Sequence, residues 1–257
     1  MTLHDLAQLP QLFWLILAAI VGAIFGSFVT ALSYRLPRGE NFVNARSKCP
    51  ACGTVLQARD LVPVMSWLMT RGACRACGSA ISMRYPLTEL LMAGLFVSAV
   101  AQQPQLMPLA LVLSVAVLSV TLAIIDLETK TLPFSLLILL ALAVAALRWL
   151  GENQFWQAAM IAFGIAVAGV AVAATTRALR GSPLIGAGDA YLLAIGALAF
   201  PMPVYGFFLG FGALGALVMG LWWRWRFHEA LFPFAPAGLA AMWLCLLYPK
   251  HMLALVG

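Results

Sequence analysis

Four of the five cysteines in the 257-residue chain stand in two pairs, Cys49-Pro-Ala-Cys52-Gly53 and Cys74-Arg-Ala-Cys77-Gly78. Two C-x-x-C-G knuckles about twenty residues apart have the spacing at which four thiolates close on one zinc ion. Each knuckle offers two sulfurs, and the glycine behind the second permits a tight turn. Four thiolates leave no open coordination position, so Cys49, Cys52, Cys74 and Cys77 are expected to hold a structural zinc. A redox C-x-x-C is the weaker rival, because there are two such motifs and no surrounding βαβ pattern. Cys245 lies in a late apolar run and reads as a small buried hydrophobe.

Only nine acidic residues exist, so each can be weighed. Asp5, Glu40, Asp60, Glu152 and Glu229 fall in polar segments and are expected in solvent. Glu89, Asp126, Glu128 and Asp189 lie at the edges of long apolar runs, where a carboxylate is costly and usually functional. Asp126 closes one run, in Ala123-Ile124-Ile125-Asp126-Leu127-Glu128-Thr129-Lys130, and Asp189 opens another, in Leu184-Ile185-Gly186-Ala187-Gly188-Asp189. Taken singly, each has a plainer reading: Asp126 as a boundary residue in water, Asp189 as the N-cap of the helix it opens. Gly186 and Gly188 favour a functional role, since glycine lets the backbone turn sharply and lets another segment approach the carboxylate.

The elements that must carry these groups are membrane helices. The chain is 63% hydrophobic and 9% charged, whereas a soluble domain is about a quarter charged and under half apolar. A soluble fold of this length would leave large apolar patches in water. Apolar runs of spanning length recur at about 12–34, 86–101, 106–125, 132–150, 156–176, 186–200, 204–222 and 231–248, the second and sixth being short. Pro104, Pro108, Pro201 and Pro203 mark tight turns between neighbours. The first run is too long for the core of a cleavable signal peptide and lacks a small-residue cleavage pattern after it.

Charge orients the spans. Arg35, Arg38, Arg46, Lys48, Arg59, Arg71, Arg75 and Arg84 lie between the first two runs. Lys130, Arg177, Arg180, Arg224 and Arg226 follow the third, fifth and seventh. Of the 15 Lys and Arg, only Arg148 and Lys250 remain for the other face. The positive-inside rule makes the rich face cytoplasmic and both termini periplasmic. Asp126 and Asp189 then share one membrane depth, at the cytoplasmic ends of their helices. The net charge of +6 is explained by topology, so no nucleic-acid partner is expected, only membrane lipid. The cysteine segment lies in the reducing compartment, where disulfides are unlikely to form. The expected fold is an all-α polytopic membrane protein of about eight transmembrane helices. Residues 1–35 hold the first helix, 36–85 a small inserted cytoplasmic zinc-ribbon-like module, and 86–257 about seven helices. Such a small module has little core, so its metal would supply much of its folding energy.

Several motifs, in order along most of the chain, give it a family resemblance. They are Gly26-Ser27-Phe28 with Tyr34-Arg35-Leu36-Pro37, the paired cysteines, Arg84-Tyr85-Pro86-Leu87-Thr88-Glu89, Asp126 followed by Leu132-Pro133, and Gly186-Ala187-Gly188-Asp189. The chain resembles the type IV prepilin peptidases, G-x-G-D-type aspartyl peptidases of bacterial pilus and type II secretion systems. The resemblance implies that Asp126 and Asp189 hydrolyse the peptide bond of a prepilin or pseudopilin after a short basic leader ending in glycine. It also implies, for many members, methylation of the new N-terminus from S-adenosylmethionine. Glu128 and Lys130 then either contact the leader or pair with each other and solvent, and Glu89 supports either the aspartates or the cysteine module. Three positions depart from the family: Phe134 where Asp or Asn is usual, Tyr191 where Lys is frequent, and Thr30 where Asn is usual. None removes a catalytic carboxylate, but together they put substrate preference and methyl transfer in question. The alternative is a transporter or channel that uses the carboxylates for ion or proton coupling. That reading calls for inverted repeats and mid-bilayer acids, and the sequence offers neither. No oligomeric state is implied.

Overall fold

A computed structural model describes residues 10–42, 46–102, 106–151, 154–181, 185–229 and 231–255. Asp5, Pro104, Glu152 and Leu184, and both chain termini, lie outside them. The helices are α1 (Gln11–Arg35), α2 (Met65–Met69), α3 (Arg84–Gln102), α4 (Leu106–Thr129), α5 (Phe134–Gly151), α6 (Phe155–Arg180), α7 (Ala187–Ala199), α8 (Met202–Phe227), α9 (Ala235–Leu247) and α10 (Pro249–Ala254). Six of them, α1, α3, α4, α5, α6 and α8, are long and apolar enough to cross a membrane. Each of the eight expected runs holds an apolar helix, and the second reaches 19 residues. The short ones are α7 and α9, at 13 residues each, or about 20 Å. The eighth run was expected from residue 231, but Pro233 and Pro236 hold the start of α9 back to Ala235. Pro at the first helical turn is tolerated where its missing N–H has no intrahelical partner to lose.

The chain divides into two compact units, Met1–Leu109 and Ala110–Gly257. In the first, α1 packs along α3 through a Gly22-x-x-x-Gly26 stripe. A methyl group at Gly22 would stand 2.6 Å from the Met92 carbonyl oxygen, and one at Gly26 would stand 2.5 Å from Glu89 Cα. Lipid gives two apolar helices little reason to associate beyond contact itself, so backbone approach of this kind supplies the packing. Val29, Met92 and Phe96 fill the interface, and Arg84 donates to Ser33 Oγ at 2.7 Å. Among the glycines of α8, Gly206 and Gly210 face open space, whereas Gly215 is tight against Ala237 Cβ at 3.1 Å and Gly220 against the Phe232 ring at 3.0 Å.

The segment between α1 and α3 folds as two like halves. Isolated antiparallel bridges pair Lys48 with Val55 and Ala73 with Ala80. Asp60, expected in solvent, is half-buried and meets Arg75 Nε at 2.6 Å. Trp67 packs its ring on Gly72 and donates its indole N–H to the Ile81 carbonyl at 3.0 Å.

The second unit is built of helices, with no strand among its described residues. α6 packs on α7, α9 on α8, and α5 on α7. Leu122, Ile125, Leu140, Leu192, Val204, Phe208 and Met242 are among its largest fully buried side chains. Gly196 is where Phe208 lies flat, its ring 2.4 Å from where a Cβ would stand.

Candidate active site and metal centre

The cysteine knuckles are near copies. In one, Gly53 N–H donates to the Cys49 carbonyl at 2.9 Å and Cys49 N–H to the Thr54 carbonyl at 2.9 Å. In the other, Gly78 N–H donates to Cys74 and Cys74 N–H to Ser79, both at 2.8 Å. Both glycines are left-handed, with φ of 72° and 71°, the region glycine enters at least cost. The four sulfurs lie within 4.8 Å of one another, with Cys49 Sγ 3.9 Å from Cys77 Sγ, and none is in a disulfide. A tetrahedral ion with zinc–sulfur bonds of about 2.3 Å sets its sulfurs about 3.8 Å apart, so the four thiols are suited to a metal ion. The Cys52 backbone N–H, the Ser79 hydroxyl and the Ala51 N–H pull the Cys49 thiol down to about 6. The Ser79 hydroxyl is also the main group pulling Cys77 down. Thiolate is the form that binds metal.

Asp126 and Asp189 come from α4 and α7 and are close enough to feel each other's charge. α4 runs one turn beyond Asp126 to Thr129, so Asp126 sits inside the helix rather than at its end. Its side chain is buried, 5% exposed, and Oδ2 accepts the Ala235 backbone N–H at 2.9 Å. Ala235 is the first residue of α9, and the free N–H groups of a helix start favour an anion. Asp189, half-buried, is the third residue of α7. Its carboxylate accepts the Gly186 backbone N–H.

The two glycines before Asp189 act through missing bulk. Neither takes a positive φ. A Cβ on Gly186 would stand 2.9 Å from Asp189 Oδ2, and one on Gly188 would stand 2.9 Å from Leu132 Cβ and Cδ1. Gly186 therefore lets the carboxylate fold back onto its own turn, while Gly188 lets the Leu132-Pro133 segment close over α7. The expected approach of another segment is present at Gly188.

Lys130 caps α4 in a left-handed conformation, φ 54°, with its N–H on the Asp126 carbonyl at 2.8 Å. Its ammonium pairs with Glu229, across ninety-nine residues, and lies 5.6 Å from the Trp223 ring centroid. Trp223 Nε1 also donates to Glu229, at 3.3 Å. Glu229 thus ties the α8–α9 connection to the end of α4, a link its expected place in solvent did not foresee. Glu128 is exposed beside it. Glu89 turns to the cysteine module: its Oε2 accepts the Val64 backbone N–H at 2.6 Å, and the Ser27 hydroxyl also reaches it. Val64 sits at φ 61°, ψ −51°, with Met65 N–H on the Pro63 carbonyl at 2.6 Å. This is a strained γ-turn for a β-branched residue. Gly186 and Pro133 aside, sequence reasoning could not have found Ala235, because a backbone N–H leaves no residue-type signal. A cavity of about 290 Å³ opens at the opposite end of α5 and α7, lined by Arg148, Gln154, Gln157 and Pro201, away from the carboxylates.

Residues 20–103 match the bacterial peptidase A24 N-terminal domain, and residues 111–223 match the type IV leader peptidase family. A prepilin leader peptidase/N-methyltransferase of Bacillus subtilis is 31% identical over 91% of this chain and 94% of its own. One from Burkholderia pseudomallei is 31% identical over 90% of this chain and 84% of its own. One from Myxococcus xanthus is 39% identical over 55% of this chain and 42% of its own. No solved structure matches the chain.

Proposed function

The chain belongs to the type IV leader peptidase family, and from that membership we propose that Asp126 and Asp189 are the catalytic pair of a membrane aspartyl endopeptidase. The observation that carries this reading is placement: Asp126 lies one turn from the end of α4, Asp189 lies in the first turn of α7, and the charge of Asp189 acts on Asp126. Two carboxylates sharing one water would not both ionise cheaply, so such a pair shares one proton and titrates as a unit. The ionised member takes a proton from a water molecule while the protonated member polarises the scissile carbonyl. Collapse of the tetrahedral intermediate returns a proton to the leaving amine. The Ala235 N–H holds Asp126, the Gly186 N–H holds Asp189, and both carboxylates keep further lone pairs for the water.

The substrate is a prepilin or pseudopilin; prepilin is the class named for the relatives. Its leader lies in the cytoplasm and its apolar helix in the bilayer. Such a substrate arrives by lateral diffusion and needs no deep soluble cleft. The distribution of Lys and Arg supports a bacterial inner-membrane location with the aspartates and the cysteine module facing the cytoplasm. Glu128 and Lys130 support the pair from the end of α4. Zinc is the ion we assign to Cys49, Cys52, Cys74 and Cys77, in a structural role. N-methylation from S-adenosylmethionine rests on the relatives' names alone, and no residue is assigned to it.

The test is cleavage of a membrane-inserted prepilin by wild type, Asp126→Asn and Asp189→Asn, with mass analysis of the product's N-terminus. Each variant is expected to lose about 10²–10⁴-fold in rate at normal membrane level. Wild-type cleavage by either one breaks the pair, and the N-terminal mass decides methylation.

A further inference from the structure

Asp189 occupies the least self-supporting part of its helix. The first turn of any helix lacks intrahelical partners for its N–H groups. Here two glycines precede the carboxylate and add conformational freedom. Something outside α7 must fix where that turn points. Beside the packing of α6 on Ala190, where Gly169 leaves no room for a methyl group, two contacts do so from Leu132 and from Phe134 at the start of α5. Before Asp189 in sequence, Gly188 receives Leu132 with no room for a methyl group. After it, Tyr191 meets Phe134, ring centroids 5.4 Å apart and planes inclined at 58°. Leu132 and Phe134 are two residues apart, as are Asp189 and Tyr191, so the two contacts bracket the carboxylate. Phe134 remains more than half exposed, so the ring contact does little as bulk burial and more as orientation.

We propose that Phe134 and Tyr191 are positioning residues, an aromatic seam that sets the first turn of α7 so that Asp189 faces Asp126. The proposal rests on the aspartate pair being catalytic. A tilted aromatic pair has a preferred geometry, and a small error in the placement of a reacting group is costly in rate.

The experiment compares prepilin cleavage by wild type, Phe134→Ala, Tyr191→Ala, the double Ala variant, Tyr191→Phe and Asp189→Asn, each checked for membrane level and bound zinc. Each single Ala variant is expected to lose about tenfold in kcat with KM within about twofold of wild type. The double variant is expected to be no slower than the worse single one, because each ring acts only through the other. Tyr191→Phe keeps the ring and is expected to keep the rate. Wild-type kcat in the single Ala variants, or losses that multiply in the double, overturns the seam. So does a Tyr191→Phe variant as slow as Tyr191→Ala, which would make the hydroxyl the active part. Cleavage by Asp189→Asn defeats the underlying peptidase reading instead; an inactive Asp189→Asn beside unimpaired ring variants defeats the seam alone.

Discussion

In the cysteine module Gly53 and Gly78 turn the backbone left-handed, whereas Gly186 and Gly188 keep to backbone that other residues adopt and serve by leaving space. No atom stands within 4 Å of a Cβ built on either knuckle glycine. On the α7 glycines the same Cβ meets Asp189 or Leu132 below 3 Å. One region needs a rare φ in an open setting, and the other needs an ordinary φ in a crowded one. The contrast extends to how each is held. The knuckles close on themselves through bonds between residues four or five apart in sequence. The aspartate site draws on α4, α7 and the start of α9, with 109 residues between Asp126 and the N–H that holds it.

The largest effect separating the two regions should come from the metal. Chelation, or Cys49→Ser, should release about one zinc per chain and expose residues 46–82 to protease while α4–α9 stay protected. Protection of that segment without metal would mean that it folds on its own contacts. Next come the glycines, where the comparison predicts opposite rankings. Asn enters left-handed backbone more readily than Ala, so Gly53→Asn should be milder than Gly53→Ala, the latter costing about 1–2 kcal/mol. At Gly188 only bulk matters: Ala should cost about 1–3 kcal/mol, and Asn more. Thermal unfolding of the four variants checks the crossing, and a common ranking at both sites removes the distinction. The smallest effect belongs to Glu229. Lys130, then Trp223, holds its carboxyl below the usual range, so the pair stabilises above the unfolded carboxylate value and fades as pH falls through the depressed one. Glu229→Gln should lower the melting temperature slightly at pH 7, and the difference should vanish once the pH is below the depressed carboxyl value. A difference that persists in acid would mean that the Trp223 contact, not the charge, carries it.

The same contrast explains what the sequence reveals of each region. A zinc knuckle is written in consecutive residues, so its ligands and its glycines are legible without a fold. Asp126 and Asp189 are legible as carboxylates at apolar edges, because charge there is rare enough to need a reason. Their partners are not legible. The N–H of Ala235 belongs to no residue type, and the proline-bounded stretch from 231 to 236 is apolar enough to merge with the helix after it. Lys130 has Glu128 nearby in sequence, but its left-handed cap turns it to Glu229. Glu89 had two candidate roles, and a bond to the Val64 backbone ties it to the module.

Two helix lengths carry a consequence for the surrounding bilayer. α7 and α9 have 13 residues each, about 20 Å against a hydrocarbon slab of about 30 Å. Both begin at the carboxylates, and α4 continues three residues, about 4.5 Å, beyond Asp126. These two helices are therefore shorter than the slab that their neighbours are long enough to cross, and they are short where the proposed catalytic carboxylates stand. Lipid adjusts to such a mismatch by thinning, and headgroups and their hydration sink toward the short elements. On the proposed reading, a dent of this kind would bring water to the two carboxylates. It would also let a polar leader descend to them while the hydrophobic helix behind it stayed in the lipid.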